Sequence, residues 1–99
     1  MSSEKICEIG SVLQNPKRPL KERFRALFTL KNLGGEEAVQ QIERAFEDDS
    51  ALLKHELAYC LGQMQNPAAI PILTKILEDV TQEPMVRHEC GTCYKFLVS

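Results

Sequence analysis

An internal repeat constrains the fold of this chain more than any other feature of its sequence. Shifting the sequence by 31 residues aligns Phe24–Leu30 with His55–Leu61 without a gap, and the match continues beyond them. A further shift of 33 residues aligns Leu52–Glu56 with Met85–Glu89. A period of 31 to 33 residues is typical of proteins built from stacked helical units.

Within each unit, the spacing of apolar residues predicts two helices. The first helix of the second unit has apolar residues at i, i+4, i+7 and i+11, which is one face of an α-helix. Ser50 precedes that helix as a suitable N-cap, and Pro84 opens the corresponding helix of the third unit, a position that proline favours. Gly34–Gly35 separates the two helices of the first unit. Since no segment alternates with the period of a strand, the sequence predicts an all-α fold, a right-handed α-superhelix of helical hairpins.

The repeat also predicts the domain organisation. A length of 99 residues suits one domain. We expect a single domain over residues 1–99, with a leading helix over about 3–14 and repeats over about 19–49, 50–80 and 81–99, the last one truncated. A truncated last repeat leaves apolar side chains short of packing partners, which predicts self-association. These side chains are Val86, Cys90, Cys93, Tyr94, Phe96 and Leu97.

Composition and charge argue against several kinds of partner. The chain has 12 Lys and Arg against 14 Asp and Glu, a net charge of -2, so we expect no nucleic-acid partner. No apolar run reaches the roughly 20 residues that a membrane helix needs, and no signal peptide begins the sequence. We therefore expect no membrane partner and a cytoplasmic location. The one basic cluster is predicted to be a solvated helix face, and it consists of Lys17, Arg18, Lys21, Arg23 and Arg25.

The four cysteines are predicted to be reduced thiols. Cys90 and Cys93 have the spacing of a CxxC motif, but a redox motif needs a βαβ context and a zinc site needs a second pair of ligands. Neither accompanies them here, so we expect two thiols one helical turn apart.

The two histidines are the strongest indication of a functional site. Each is followed by glutamate, in His55–Glu56 and His88–Glu89, and both pairs occupy the same repeat position, predicted in the first turn of the first helix. Because neighbouring helices in an array lie about 8 to 10 Å apart, two such imidazoles are able to reach one metal ion. A His and Glu donor set suits Fe(II), Mn(II) or Zn(II).

Other interpretations of these pairs remain open. Glutamate in a first turn is favoured by the helix dipole, and a repeated histidine is also explained by inherited packing. A zinc-protease helix of the HExxH type is excluded, because Tyr59 stands where the second histidine is required.

Three segments resemble one family of enzymes. Arg23–Leu30, Ser50–Gln65 and Gln82–Glu89 are together similar to the N-terminal lobe of the deoxyhypusine hydroxylases, and the resemblance extends from about Pro19 to Cys90. It implies HEAT-like repeats, an iron cofactor with two Fe(2+) in a complete two-lobed site, and hydroxylation of the deoxyhypusine side chain of a translation initiation factor. Because the chain matches one lobe, the resemblance implies half of that site, completed by self-association or by pairing with a second lobe.

The resemblance also implies roles for individual residues. The implied metal ligands are His55, Glu56, His88 and Glu89, of which the two glutamates are also catalytic. Gly62 and Met85 match positions that the family uses for substrate binding. Because the substrate arm is a long amine cation, carboxylates in front of the first helices are expected either to steer it or to complement the helix N-termini. These carboxylates are Asp48, Asp49, Glu78, Asp79 and Glu83.

A different class of function stays open beside the enzyme. Helical repeats present extended faces that suit the binding of a protein partner. The alternative is therefore a metal-free helical-repeat protein-interaction module, and the metal content of the purified chain distinguishes the two.

Overall fold

Six α-helices and one 3₁₀ turn make up the secondary structure in a computed structural model that describes residues 1–99. The helices are α1 (Ser3–Gln14), α2 (Leu20–Leu33), α3 (Gly35–Arg44), α4 (Ala51–Met64), α5 (Ala69–Glu78) and α6 (Pro84–Val98), and the 3₁₀ turn (Ala45–Glu47) follows α3. The predicted all-α repeat fold is confirmed. None of the helices combines the length and the apolar character needed to cross a bilayer.

The helix ends follow the local signals in the sequence. The Ser50 hydroxyl accepts a hydrogen bond from the backbone N–H of Leu53 at 3.2 Å, as expected of an N-cap. Pro84 is the first residue of α6, where its missing N–H leaves no intrahelical bond unmade. Gly34 and Gly35 have φ values of 71° and 83°, in the left-handed region that favours glycine, and they turn the chain from α2 into α3.

Two layers of helices result from the repeat. In one layer, α4 lies between α2 and α6 and packs against both. Behind it, α1 packs against α2 and α3, and α5 packs against α6. Side chains at the same repeat position therefore come to lie on neighbouring helices of the first layer.

The hydrophobic core is one continuous cluster of 21 buried residues. Its interior includes Leu27, Leu57 and Leu73, which are fully buried. The expectation that the third unit is poorly packed is wrong for three side chains: Val86 and Cys90 are fully buried, and Cys93 is 6% exposed. The reason is that α6 packs against both α4 and α5. Phe96, in the same unit, remains 57% exposed.

Arg23 corrects the prediction of a fully solvated basic face. Its side chain is 4% exposed, its Nε donates to the Leu13 carbonyl at 2.9 Å, and its guanidinium donates to the Asp48 carboxylate at 2.7 Å. The Leu13 carbonyl belongs to the last turn of α1, where carbonyls lack intrahelical donors. Arg23 therefore joins the leading helix to the loop that precedes α4.

The same repeat position carries a cation in the other two units. Lys54 is 6% exposed, and its Nζ lies 2.9 Å from Gln82 Oε1 and 3.1 Å from Glu83 Oε2. In the third unit, Arg87 Nε donates to the carbonyl of Leu77 at 3.0 Å, in the last turn of α5. A cation at this position thus links each first helix to a neighbouring element in all three units.

Candidate functional site

The packing of α4 against α6 brings together three of the four predicted metal-site residues. His55 Nε2 lies 3.0 Å from Glu89 Oε1, across the two helices. His55 Nδ1 lies 3.8 Å from Glu56 Oε1, its neighbour on α4. The three side chains are only partly exposed, at 31% for His55, 32% for Glu56 and 17% for Glu89. The repeat thus becomes a physical contact between the two His-Glu pairs.

The pairs lie deeper in their helices than predicted. Because α4 begins at Ala51 and α6 begins at Pro84, His55 and His88 are each in the second turn rather than the first. The helix dipole acts mainly within the first turn. The dipole therefore gives little reason for glutamate at Glu56 and Glu89, and that alternative interpretation loses its basis.

The His88 side chain takes no part in these contacts. It is exposed and makes no ion pair or hydrogen bond, and only the backbone carbonyl of His88 is used, by the hydroxyl of Thr92 at 3.0 Å. A free, exposed imidazole next to Glu89 is available to a group that approaches this face from outside the chain.

Gly62 and Met85 occupy different environments. Gly62 is buried where α4 meets α6, and a Cβ built on it would lie 2.6 Å from Cys93 Sγ. Met85, the second residue of α6, is 48% exposed. A pocket of about 180 Å³ is lined by Gly62 and Glu89 together with Tyr59, Gln63, Thr92, Cys93 and Phe96, and Met85 is not part of it.

Cys93 is a part of the site that sequence reasoning missed. Its thiol donates to Glu89 Oε2 at 3.3 Å, one helical turn away on α6. Burial first, and then the bond to Glu89, raises the pKa of Cys93 to about 12, so the thiol stays a protonated donor at neutral pH. The i, i+4 spacing of Glu89 and Cys93 on one helix is the signal that identifies such a pair.

Two of the five carboxylates expected in front of the first helices form ion pairs inside the chain, and a third, Asp79, accepts hydrogen bonds from the amide and the hydroxyl of Thr81 at 2.9 and 2.6 Å. Asp48 pairs with Arg23 at 2.7 Å, and Glu83 pairs with Lys54 at 3.1 Å. Burial alone would raise the pKa of Asp48, but the Ser50 amide and the Arg23 guanidinium outweigh it and lower the pKa. Each of these two carboxylates is paired with a cation of the chain and contributes little free charge for steering a substrate.

The donor set suits iron in chemistry. Imidazole nitrogen and carboxylate oxygen are the donors of the oxygen-activating Fe(II) sites. Within this chain, no group of three or more His, Cys, Asp or Glu side chains is arranged so that it could hold a metal ion. The imidazole and carboxylate groups of this site therefore suit iron as donors. A complete ligand shell needs further donors in addition to them.

Comparison with known proteins finds one family and a group of close relatives. A profile described as HEAT repeats matches residues 10–91. The chain is 72% identical over 91 residues to the deoxyhypusine hydroxylase of Drosophila pseudoobscura pseudoobscura, and 60% identical over 91 residues to that of Homo sapiens. Each match covers 92% of this chain and 30% of the relative.

The fold gives the same result. The structure of human deoxyhypusine hydroxylase in complex with glycerol matches with a TM-score of 0.94 and 57% sequence identity, over 98% of this chain and 34% of that chain. The predicted resemblance to deoxyhypusine hydroxylases is thereby confirmed. The chain spans about a third of the length of the relatives that it matches.

Proposed function

The chain belongs to the HEAT repeat family, and we propose that it supplies half of the iron site of a deoxyhypusine hydroxylase. The observation that carries this proposal is the 3.0 Å contact between His55 and Glu89, which joins the two His-Glu pairs across adjacent repeats. Deoxyhypusine hydroxylases are the relatives of 58 to 72% identity over most of the chain, which supports the same proposal. The proposed substrate is the deoxyhypusine side chain of a translation initiation factor, in the cytoplasm, where free thiols such as those of this chain persist.

The proposed metal ligands are His55, Glu56, His88 and Glu89. Iron bound there would supply the activation of O₂ that hydroxylation of an unactivated C–H bond requires. The chain itself holds His55 and Glu89 in a fixed relation, since they contact each other from two packed helices. Glu56 and Glu89 are the proposed catalytic residues, because their carboxylates are able to accept a proton beside the reacting group.

The pocket next to Glu89 suits the proposed substrate arm. It combines the carboxylate of Glu89 with the aromatic side chains of Tyr59 and Phe96, and this combination favours an alkylammonium group. Gly62 borders the same pocket, whereas Met85 lies on α6 one turn before Glu89. We propose that Gly62 and Met85 contact the arm at different points along its length.

A second half-site completes the proposed centre. Two His-Glu pairs do not provide enough ligands for two iron ions, so the proposal includes pairing with a second lobe or with a second copy of this chain. Exposed His88 is the ligand of this chain that is free to meet such a partner.

Iron binding by purified chain tests the proposal. Protein prepared under reducing, chelator-free conditions is titrated with Fe(II) and sedimented, and hydroxylation of a deoxyhypusine-bearing initiation factor is followed by mass spectrometry. We expect Glu56→Gln to weaken iron binding by at least about tenfold. Glu43→Gln, the same chemical change at an exposed carboxylate on α3, is the matched control and should bind iron normally. Equal iron binding by the two variants, or turnover by a stable monomer, would contradict the proposal of a shared half-site.

One observation favours the metal-free interaction module as a second candidate. Large apolar side chains are exposed on the layer of first helices: Phe28 at 43%, Tyr59 at 43%, Met85 at 48% and Phe96 at 57%. Such a face suits a protein partner. An iron-free chain that binds the initiation factor with unchanged affinity after Glu56→Gln would establish this alternative.

A further inference from the structure

We propose that Cys93 is a positioning residue that fixes the carboxylate of Glu89, and that Gly62 is required because it gives the Cys93 side chain its place. The orientation of the Glu89 carboxylate follows from contacts within the chain and does not depend on a bound metal. Its consequence for iron rests on the proposed function.

Both oxygens of Glu89 have separate partners. Oε1 lies 3.0 Å from His55 Nε2 on α4, and Oε2 accepts from Cys93 Sγ at 3.3 Å on α6. One partner alone would let the carboxylate rotate about its last torsion, which is broad. Two partners on different helices leave one orientation, with Oε1 turned towards His55.

Gly62 determines where the thiol can lie. A Cβ at position 62 would lie 2.6 Å from Cys93 Sγ, 3.0 Å from its Cβ and 3.6 Å from its Cα. The first distance is far below van der Waals contact, and the short side chain of cysteine has only its χ1 torsion with which to move away. Rotation about χ1 would carry Sγ away from Glu89 Oε2. A glycine at position 62 is therefore a condition for the bond between Cys93 and Glu89.

In this arrangement, Glu89 is a proposed metal ligand and Cys93 is the group that donates a hydrogen bond to it. Groups that hydrogen-bond to a metal ligand orient it, and their removal typically costs about 10- to 100-fold in metal affinity. Cys93 is 6% exposed, so its thiol donates to Glu89 from a position largely shielded from solvent. Cys90, on the same helix, is also a buried thiol, but it makes no hydrogen bond to Glu89, which makes it the natural control.

The first measurement uses the metal-free chain and follows the His55 imidazole by nitrogen NMR, about two pH units above the ordinary imidazole pKa. With Glu89 held in place, the fraction of the tautomer with the proton on Nε2 should exceed that of a free histidine side chain, and Cys93→Ser should keep it because a hydroxyl also donates. Cys93→Ala and Gly62→Ala should lower that fraction towards the mixture of a free side chain. The double variant Gly62→Ala/Cys93→Ala removes the clash with Sγ but keeps the two Cβ atoms 3.0 Å apart, so it should melt between Gly62→Ala and Cys93→Ala and still show mixed tautomers.

The second measurement is the affinity for Fe(II). We expect a loss of about 10- to 100-fold in Cys93→Ala, recovery in Cys93→Ser, and no loss in Cys90→Ala beyond that explained by stability. If the wild-type chain binds no iron, the proposed function fails while the tautomer measurement still decides the role of Cys93. If Cys93→Ala shows the same tautomer ratio as Cys90→Ala, the thiol is a packing residue and the inference is overturned.

Discussion

Replacing Arg23 by methionine should destabilise the fold far more than its position in a basic cluster suggests. The guanidinium is nearly inaccessible, with the Arg23 side chain 5% exposed and the Asp48 side chain 12% exposed. Methionine keeps much of the volume and removes the charge. The change leaves the Asp48 carboxylate without its cation and the Leu13 carbonyl without its donor.

The size of the effect follows from the burial of the pair. Removing one partner of a buried ion pair typically costs about 3 to 5 kcal/mol, because the remaining charge stays desolvated. A domain of this length has a total free energy of unfolding of about 5 to 15 kcal/mol, so the loss is a large share of the whole. We therefore expect about 3 to 5 kcal/mol for Arg23→Met in urea unfolding followed by circular dichroism.

The loss should also depend on pH. The pKa of Asp48 in the folded chain lies below its ordinary value of 3.8, since its hydrogen bonds from Ser50 and Arg23 outweigh the effect of burial. A lowered folded pKa contributes stability above the unfolded pKa, and that contribution disappears as the pH falls through the folded pKa. The gap between wild type and Arg23→Met should therefore be full near neutral pH and shrink below the value of 3.8.

Two comparisons make this prediction refutable. Arg25→Met makes the same chemical change two residues away at an exposed position, and it should cost no more than about 0.5 kcal/mol. Arg23→Met combined with Asp48→Leu should cost less than Arg23→Met alone, because no carboxylate is then left unpaired. Equal losses for the two arginines, or a gap that stays constant under acid, would refute the role assigned to Arg23.

The remaining predictions concern a helix end and the thiols. Ser50→Ala should lower the free energy of unfolding by about 1 kcal/mol, because it removes the cap on the Leu53 amide. Ser50→Asp should restore the stability, since aspartate also caps helices. Equal stability of the wild-type chain and the two variants would contradict the capping role. The pKa values of the buried thiols Cys60, Cys90 and Cys93 are raised to about 11, 12 and 12, mainly by burial. The Cys7 side chain is exposed to solvent and so is accessible to a reagent. Iodoacetamide at neutral pH should therefore add one group to the native chain and four in denaturant, and rapid labelling of a second thiol by mass spectrometry would contradict the packing of α6.

Much of the candidate site was predictable because it depends on the register of a repeat. Equal spacing places His55–Glu56 and His88–Glu89 at the same position of successive first helices, and adjacent helices then bring them near one another. The depth of the pairs in their helices was predicted wrongly, although Ser50 and Pro84 were correctly predicted to start the two helices. Counting from those starts places both pairs in the second turn. The positions of exposed His88 and of buried Cys93 followed only from the rotation of α6 against α4.

The sequence by itself determined the helices, their pairing and their repeat, because caps, glycine breaks and apolar stripes act over a few residues and the period repeats them. Only the tertiary structure decided which polar groups lose contact with water. Arg23 reads as one member of an exposed cluster, yet it is buried because α1 and the loop before α4 close over it. Gly62 appears in the sequence as one small residue in a helix, yet Cys93 of α6 packs so closely against it that a Cβ would lie 2.6 Å from Sγ. Both outcomes depend on contacts between residues far apart in the chain, and local propensities carry no information about such contacts.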